Sequence, residues 1–165
     1  MILRTPLPLS IATLCQQHIT TLKNQWSLRW KKSPCYPRLY RTDPSLPSDS
    51  FLRLIKKSTL NHAQTSLLFQ LRTHHIPLNL HLHRIKKAES PHCPTCRFAR
   101  ETVHHFLLEC PTYNTQWEPP RRRWKHLSQD LPYLLSNPKA IVTVLGYVHA
   151  TSRLNRILSE PRTCH

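Results

Sequence analysis

Residues 91–113 read PHCPTCRFARETVHHFLLECPTY and carry the most specific pattern in the chain. Cys93 and Cys96 form a C-x2-C pair, which His105 and Cys110 extend to C-x2-C-x8-H-x4-C. A C-x2-C turn lets two thiolates reach one tetrahedral ion, and a distant His and Cys complete a closed site without a position for water. The alternative is that the cysteines are ordinary buried or reactive thiols. The spacing favours one structural Zn²⁺ bound by all four side chains, and closed sites of this kind support folding rather than catalysis.

The sequence leaves open whether His104 or His105 is the histidine ligand. Along an unbroken helix the side chains of His105 and Cys110 would point in different directions, so we expect the helix to give way near its end. Pro111 supplies the reason, because a proline disfavours the α conformation of the residue before it. Glu101 lies one turn before His105 and is expected to accept the other imidazole N–H, unless it is a solvated acid of the first turn.

The composition points to polyanions as partners. The chain has 24 Lys and Arg against 8 Asp and Glu, which gives a formal net charge of +16. A single Gly beside 15 Pro excludes Gly-rich phosphate loops and nucleophile elbows, which need several glycines. Eight scattered carboxylates also make a two-metal nuclease or polymerase site unexpected. We therefore expect no enzyme activity and no small-molecule substrate.

The length of 165 residues suits one small domain with a modest core and basic flanks. No run of residues approaches the ~20 apolar positions that a membrane-spanning helix needs, so no membrane association is expected. The six cysteines, without a credible secretory signal, favour a reducing intracellular setting, nuclear or cytoplasmic rather than secreted. The acid-free first 42 residues also fit a transit peptide in composition, although an ordinary basic segment is the simpler interpretation.

The expected fold class is mostly α, a small helical domain around the zinc knuckle with a long N-terminal helix and a Pro-rich linker. We divide the chain into a basic amphipathic helix (1–32), an extended linker with four prolines (33–49) and a helical zinc-binding domain (50–165) with its knuckle at 91–113. Residues 141–148 (IVTVLGYV) could also pass for a buried strand, but the missing partner strands favour a helix. Helical spacing or composition predicts further helices at 51–55, 60–71, 78–85, 115–127, 131–135 and 139–158.

The sequence segments around the predicted ligands resemble a known protein family. The stretches SLLFQLRTHHIPLNLHLHRIKKAESPHCPTC (66–96) and ETVHHFLLECPTY (101–113) are similar to the zinc-binding region at the C-terminus of non-LTR (LINE-type) retrotransposon reverse transcriptases, especially fungal ones. The resemblance extends upstream through 26–48, which looks like the connection between the ribonuclease H domain and the zinc region of that family, and downstream through 138–148. It implies the same four ligands, and a module that helps to hold template RNA or target DNA.

The chain also departs from that family. Members commonly read L-R-T-G-H where this chain has Leu71-Arg72-Thr73-His74-His75, so an easy helix terminator is replaced by His74. The polymerase aspartates and the ribonuclease H carboxylates are not in this sequence, so the resemblance implies no catalysis here and suggests a stand-alone fragment. A zinc-stabilised protein-interaction module and a non-functional relic of a retroelement are the alternatives.

Two basic patches are predicted to contact the backbone phosphates of RNA or DNA. Each combines cations with an indole that could stack on a base, and such binding should depend strongly on salt. The alternative is a solvated cationic face with the tryptophans in the core. We favour this alternative for the patch that contains Trp26 and Trp30. The patches consist of Lys31 and Lys32 beside Trp26 and Trp30, and of Arg121, Arg122, Arg123 and Lys125 around Trp124.

Overall fold

The computed structural model describes residues 10–45 and 49–155. Those parts of the three predicted segments that fall on 1–9, 46–48 and 156–165 lie outside the described residues. Within the described ranges the chain is mostly helical, as predicted, and it has no strand beyond one isolated antiparallel bridge between His92 and Arg100. The helices are α1 (Ile11–Lys31), α2 (Tyr36–Thr42), α3 (Ser50–Lys57), α4 (His62–Thr73), α5 (Asn79–Arg84), α6 (Asn114–Trp124), α7 (Leu131–Ser136) and α8 (Pro138–Ala150).

The predicted long N-terminal helix is confirmed as α1. It begins after Ser10, whose hydroxyl oxygen accepts the amide N–H of Thr13 at 3.2 Å and so satisfies one donor of the first turn. Trp30 is half-buried and packs edge-on against Tyr36, with 6.1 Å between ring centroids. Trp26 is 55% exposed, so the expectation that it is a core residue is wrong. The apolar residues of α1 follow helical spacing, but not all of them are buried.

The segment 33–49 is not the extended linker that its prolines suggested, because α2 lies inside it. Pro37 occupies the first turn of α2, where a missing N–H costs nothing. The chain divides into compact units Met1–Arg38 and Leu39–His165, so the boundary falls within α2 rather than at residue 49. Asp43, just after α2, forms a buried ion pair with Arg72 of α4. The end of the predicted linker is therefore part of the second unit.

The core of the second unit is formed by α4, α6, α7 and α8 together with residues 103–113. The helix α8 covers the stretch 141–148, which confirms the helical interpretation over the strand. Its Tyr147 lies among other aromatic rings, with centroid distances of 4.6 Å to Trp117 and 5.6 Å to Phe106. This aromatic cluster joins the C-terminal helices to the segment that carries two of the predicted ligands.

The helix α4 shows how the chain ends a helix without glycine. It begins with a capping box in which Asn61 and Gln64 each accept the other's backbone N–H, at 2.9 and 3.0 Å. It ends at His74, which adopts the left-handed conformation with φ of 59° and ψ of 20°. A non-glycine residue in this region costs on the order of 1 kcal/mol. The His74 ring compensates in part, because its Nε2 lies 3.2 Å from the hydroxyl of Thr42.

Candidate metal centre

The four predicted ligands lie together in the interior of the second unit. The sulfur atoms of Cys93, Cys96 and Cys110 and one ring nitrogen of His105 all lie within 4.8 Å of one another, and all four residues are buried. The Sγ atoms of Cys93 and Cys110 are 3.9 Å apart, and Cys96 Sγ is 3.3 Å from His105 Nε2. A disulfide would need sulfur atoms ~2.05 Å apart, so these thiols are free. The arrangement could hold one metal ion.

The first two ligands are positioned by a tight backbone turn. The amide N–H of Arg97 donates to the carbonyl oxygen of Cys93 at 2.9 Å, and Arg97 takes a positive φ of 61°. The amide N–H of Cys93 donates in turn to the carbonyl of Ala99 at 2.8 Å. Backbone N–H groups of Phe98 and Ala99 donate to the sulfur of Cys96. These bonds wrap the chain around Cys93 and Cys96 and direct both sulfur atoms inward.

The other two ligands are brought together by a helical break at the expected place. The segment His105–Glu109 is a π-helical turn, closed by the amide N–H of Cys110 donating to the carbonyl of His105 at 2.8 Å. In a regular α-helix, residues five apart point roughly 140° away from each other. The wider turn removes that mismatch, and Cys110 then leaves the helix with φ of −67° and ψ of 115° ahead of Pro111.

The π turn leaves one backbone acceptor without a partner of its own. In this register the carbonyl of Phe106 would pair with the amide of Pro111, which has no N–H. The hydroxyl of Tyr147 donates to that carbonyl instead, at 2.6 Å. Burial raises the pKa of Tyr147 far above its usual value, so the hydroxyl keeps its proton. A side chain of α8 thus completes the hydrogen bonding of the ligand segment.

The structure distinguishes the two candidate histidines. His105 is 4% exposed and points its Nε2 into the cysteine cluster, whereas His104 is exposed on the surface. Both rings approach the carboxylate of Glu109, with distances of 3.2 Å from His104 Nδ1 and 3.9 Å from His105 Nδ1. The histidine of the Cys3His cluster is therefore His105, and the acid nearby is Glu109.

Glu101 is buried, as a supporting residue would be, but the prediction of its partner is wrong. Its two carboxylate oxygens each accept a hydrogen bond from the guanidinium of Arg153 at 2.8 Å, and Oε2 also accepts the backbone N–H of Asn79 at 2.5 Å. Burial lowers the pKa of Arg153, but the hydrogen bond and the charge of Glu101 outweigh it and raise the pKa above its usual value. Glu101 therefore ties the knuckle to the end of α8 and the start of α5 rather than orienting His105.

The surroundings of Cys96 and Cys110 shift the pKa values of the two thiols in opposite directions. Burial raises the pKa of the Cys96 thiol, but the amide N–H groups of Phe98 and Ala99 favour the thiolate and bring the net pKa below its usual value. Burial also raises the pKa of Cys110, and here the amide of Thr112 does not offset it. Because a metal ion binds thiolates, it must displace the Cys110 proton, and metal affinity should fall as the pH is lowered.

In the predicted α6 patch, Arg122, Arg123 and Lys125 are exposed and Arg121 is half-buried, and the arginines also contact neighbouring side chains. Two of the arginines bond to side chains of the same helix, and the third lies over an indole. Lys125 follows the helix and is exposed, with a φ of 46°. The Trp124 ring packs edge-on against Tyr133 at 5.7 Å, so it belongs to the fold. The contacts are Arg121 Nη2 to Asn114 Oδ1 at 3.0 Å, Arg122 Nε to Glu118 Oε1 at 3.0 Å, and the Arg123 guanidinium to the Trp124 centroid at 5.5 Å.

Lys31 and Lys32 are exposed at the end of α1. The sequence alone did not predict the exposure of Phe98, which is 89% exposed on the knuckle and is the most exposed aromatic residue among the described residues. It lies between Arg97 and Arg100, which are also exposed. The signal in the sequence is an apolar residue between two cations inside the predicted metal-binding loop.

Comparison with known proteins gave no relative. No family model matches the chain, and neither the curated proteins nor the solved structures contain a significant match. Over residues 10–45 and 49–155, none of the helices has both the length and the apolar character to cross a bilayer. The buried Cys3His cluster is therefore the main observation that bears on the function of this chain.

Proposed function

We propose that this chain is a zinc-binding module that binds RNA or DNA and derives from the C-terminal region of a non-LTR retrotransposon reverse transcriptase. The observation that carries the proposal is the buried cluster of Cys93, Cys96, His105 and Cys110. Net charge supports the nucleic-acid part of the proposal, and the backbone conformation of His74 supports the origin.

Zinc suits this donor set. Ideal tetrahedral bonds of ~2.3 Å to sulfur and ~2.0 Å to nitrogen imply separations of about 3.8 Å between sulfurs and about 3.5 Å between sulfur and nitrogen. The corresponding distances are 3.9 Å between Cys93 and Cys110 and 3.3 Å between Cys96 and His105. Three soft thiolates with one imidazole favour Zn²⁺ over the oxygen-preferring cations. When bound, the ion would cross-link the C-x2-C turn to the π turn.

No catalytic role is proposed for this site. Four protein ligands fill a tetrahedral ion and leave no position at which water could be activated. The ligand side chains are also buried, so a substrate would have to open the fold to reach them. The role of the metal is then structural, and its binding energy becomes folding energy.

Two features support the proposed origin. The ligands that spacing selects are the same ones that the family resemblance implies. In addition, His74 stands where family members commonly carry glycine, and His74 has the positive φ of 59° that glycine adopts without strain. A backbone suited to glycine at this position is what a descendant of that family would inherit.

Net charge supports nucleic acid as the partner. A charge of +16 on 165 residues creates a positive field that attracts polyanions, and phosphate contacts would provide most of the affinity. Cations at Lys31, Lys32, Lys125, Arg97 and Arg100 are exposed. Binding through such contacts is weakly sequence-specific and weakens steeply with salt.

The test begins with zinc stoichiometry on the purified chain and circular dichroism before and after chelation. We expect stoichiometric zinc and a loss of helical signal when zinc is removed. Titrations with RNA and DNA oligonucleotides over a range of salt concentrations follow. A chain that binds no zinc contradicts the metal assignment. A zinc-loaded chain whose nucleic-acid binding is absent at low salt, or ignores salt, would instead be a protein-interaction module.

A further inference from the structure

The knuckle presents an aromatic ring to solvent from a well-anchored loop. Phe98 is 89% exposed, although it lies only two residues after the buried ligand Cys96. Exposed single apolar residues are common on protein surfaces, so exposure alone would carry no argument. The backbone around Phe98 and the charges beside it are what make this residue unusual.

The backbone holds Phe98 from both sides. Its own amide N–H donates to the sulfur of Cys96. The residue before it, Arg97, is fixed by a 2.9 Å bond to the carbonyl of Cys93, and the residue after it, Ala99, accepts the amide of Cys93 at 2.8 Å. Little backbone freedom would be lost when a ligand met this ring, which lowers the entropic cost of binding.

The charges beside Phe98 are available for contacts. Arg97 and Arg100 are exposed, and neither forms an ion pair with any acidic residue in the described parts of the chain. Arg122 of α6 differs, since it is paired with Glu118. Guanidinium groups donate paired hydrogen bonds that match phosphate oxygens.

We propose that Phe98 stacks on a base of single-stranded RNA or DNA while Arg97 and Arg100 contact neighbouring phosphates. This proposal rests on the proposed function and specifies its ligand. Single strands are favoured because a duplex hides the base faces inside its stack, whereas an unpaired base can lie flat on an aromatic ring. One ring between two cations is too little apolar surface for a stable protein interface, which typically covers about 800 Å² per partner.

The experiment compares two Phe→Leu variants of the zinc-loaded chain. Phe98→Leu keeps an apolar side chain but removes the aromatic face. Phe69→Leu is the matched control, since Phe69 is a half-exposed phenylalanine on α4, outside the knuckle. The probes are single-stranded oligouridine and oligothymidine of about 12 nucleotides, near the site size of small single-strand binders, and a duplex of the same length.

We expect Phe98→Leu to weaken single-strand binding about tenfold, as the loss of one stacked base would, and to leave zinc content and the salt slope unchanged. Duplex binding should change little. Phe98→Trp should bind single strands at least as tightly as the parent, because the larger indole also stacks. Phe69→Leu should bind as the parent does.

The outcomes separate this inference from the function on which it depends. If the parent binds neither oligonucleotide at low salt, the proposed function fails and the stacking role fails with it. If the parent binds with a strong salt dependence but Phe98→Leu binds equally well, the stacking role is overturned while nucleic-acid binding stands. Equal losses for single strands and duplex would also overturn it, since a duplex offers no base face.

Discussion

The knuckle, residues 91–113, and the adjacent helix α6 both contain arginines next to an aromatic residue, but they use them differently. In the knuckle, Arg97 and Arg100 flank a solvent-exposed Phe98. In α6, side chains one or two turns away and the Trp124 ring engage the arginines, and Trp124 itself packs against Tyr133. Residues four and seven apart share one face of a helix, so Arg122 and Arg121 meet polar side chains of α6 itself, whereas no ion-pair partner is found for Arg97 and Arg100 among the described residues.

The two regions also differ in what stabilises them. The helix α6 packs Trp117 against Tyr147 of α8, with 4.6 Å between the rings, and has its own backbone ladder. The knuckle has little regular hydrogen bonding beyond its two turns. Its buried contacts are the Cys3His cluster and the ion pair between Glu101 and Arg153.

The largest effect is expected from Cys110→Ser, which removes a ligand. Structural zinc sites contribute about 10–16 kcal/mol of apparent binding free energy, which is comparable to the whole stability of a domain. We expect loss of stoichiometric zinc and a large loss of helical signal, measured by metal analysis and circular dichroism. Cys15→Ser changes an exposed cysteine of α1 and should alter neither. Equal damage from both variants would contradict the ligand assignment.

The next effect concerns the buried ion pair of the knuckle. Arg153→Gln leaves the carboxylate of Glu101, which is 0% exposed, without its charged partner. Removing one member of a buried pair costs about 3–5 kcal/mol, and we expect about 3 here because Arg153 is partly exposed. Arg53→Gln, which breaks the exposed pair with Asp49, should cost at most about 0.5 kcal/mol.

Urea unfolding of the zinc-loaded chain measures both costs. The double variant Glu101→Gln with Arg153→Gln should recover part of the loss, because no buried charge is left unpaired. If Arg153→Gln costs no more than Arg53→Gln, the contact does not stabilise the knuckle.

A stabilising change is expected in α6. Pro119 is exposed in the helix interior, where it lacks the N–H that would donate to the carbonyl of Thr115. Pro119→Ala should restore that bond and raise the free energy of unfolding by about 1–2 kcal/mol, with zinc affinity unchanged. Pro120→Ala is the comparison, because Pro120 is buried and its replacement also loses packing. Thermal unfolding would contradict the expectation if Pro119→Ala lowered the melting temperature.

The smallest expected effect compares the cations of the two regions. The double variant Arg97→Gln with Arg100→Gln should weaken single-strand binding by about tenfold or less and reduce the salt slope by about 1.4 units, two phosphate contacts. Arg122→Gln with Arg123→Gln should change the slope less, since those side chains already have partners. Titrations at several salt concentrations decide the order. If the α6 double variant reduced the salt slope more than the knuckle double variant, the phosphate contacts would lie on α6, as the sequence predicted.

The sequence alone predicted those features that local chemistry determines. The ligands follow from spacing, and the break before Pro111 follows from proline sterics, so both appear in the structure as expected. The α8 helix was also predicted, because a lone apolar run without partner strands packs better as a helix. Chemistry within a few residues of each position was enough for these predictions.

The features that the sequence did not predict depend on distant residues. Glu101 is hydrogen-bonded to Arg153, which lies 52 positions away, and no local sequence pattern predicts that partner. The α2 helix was missed because four prolines in 33–49 outweighed a short helical stretch, although Pro37 lies where a helix tolerates it. The exposure of Phe98 follows from which neighbouring residues the fold buries, which only the tertiary structure determines.

The hydrogen bond from Tyr147 to the carbonyl of Phe106 limits how far the knuckle can be treated as a portable element. A peptide of residues 91–113 would contain every ligand, yet it would lack the hydroxyl that serves this carbonyl and the guanidinium that pairs with Glu101. We therefore expect metal binding and the packing of α8 to be thermodynamically linked. The melting temperature of the whole unit should rise with the concentration of free zinc. Transplanting the knuckle into another protein would require α8 to be transplanted with it.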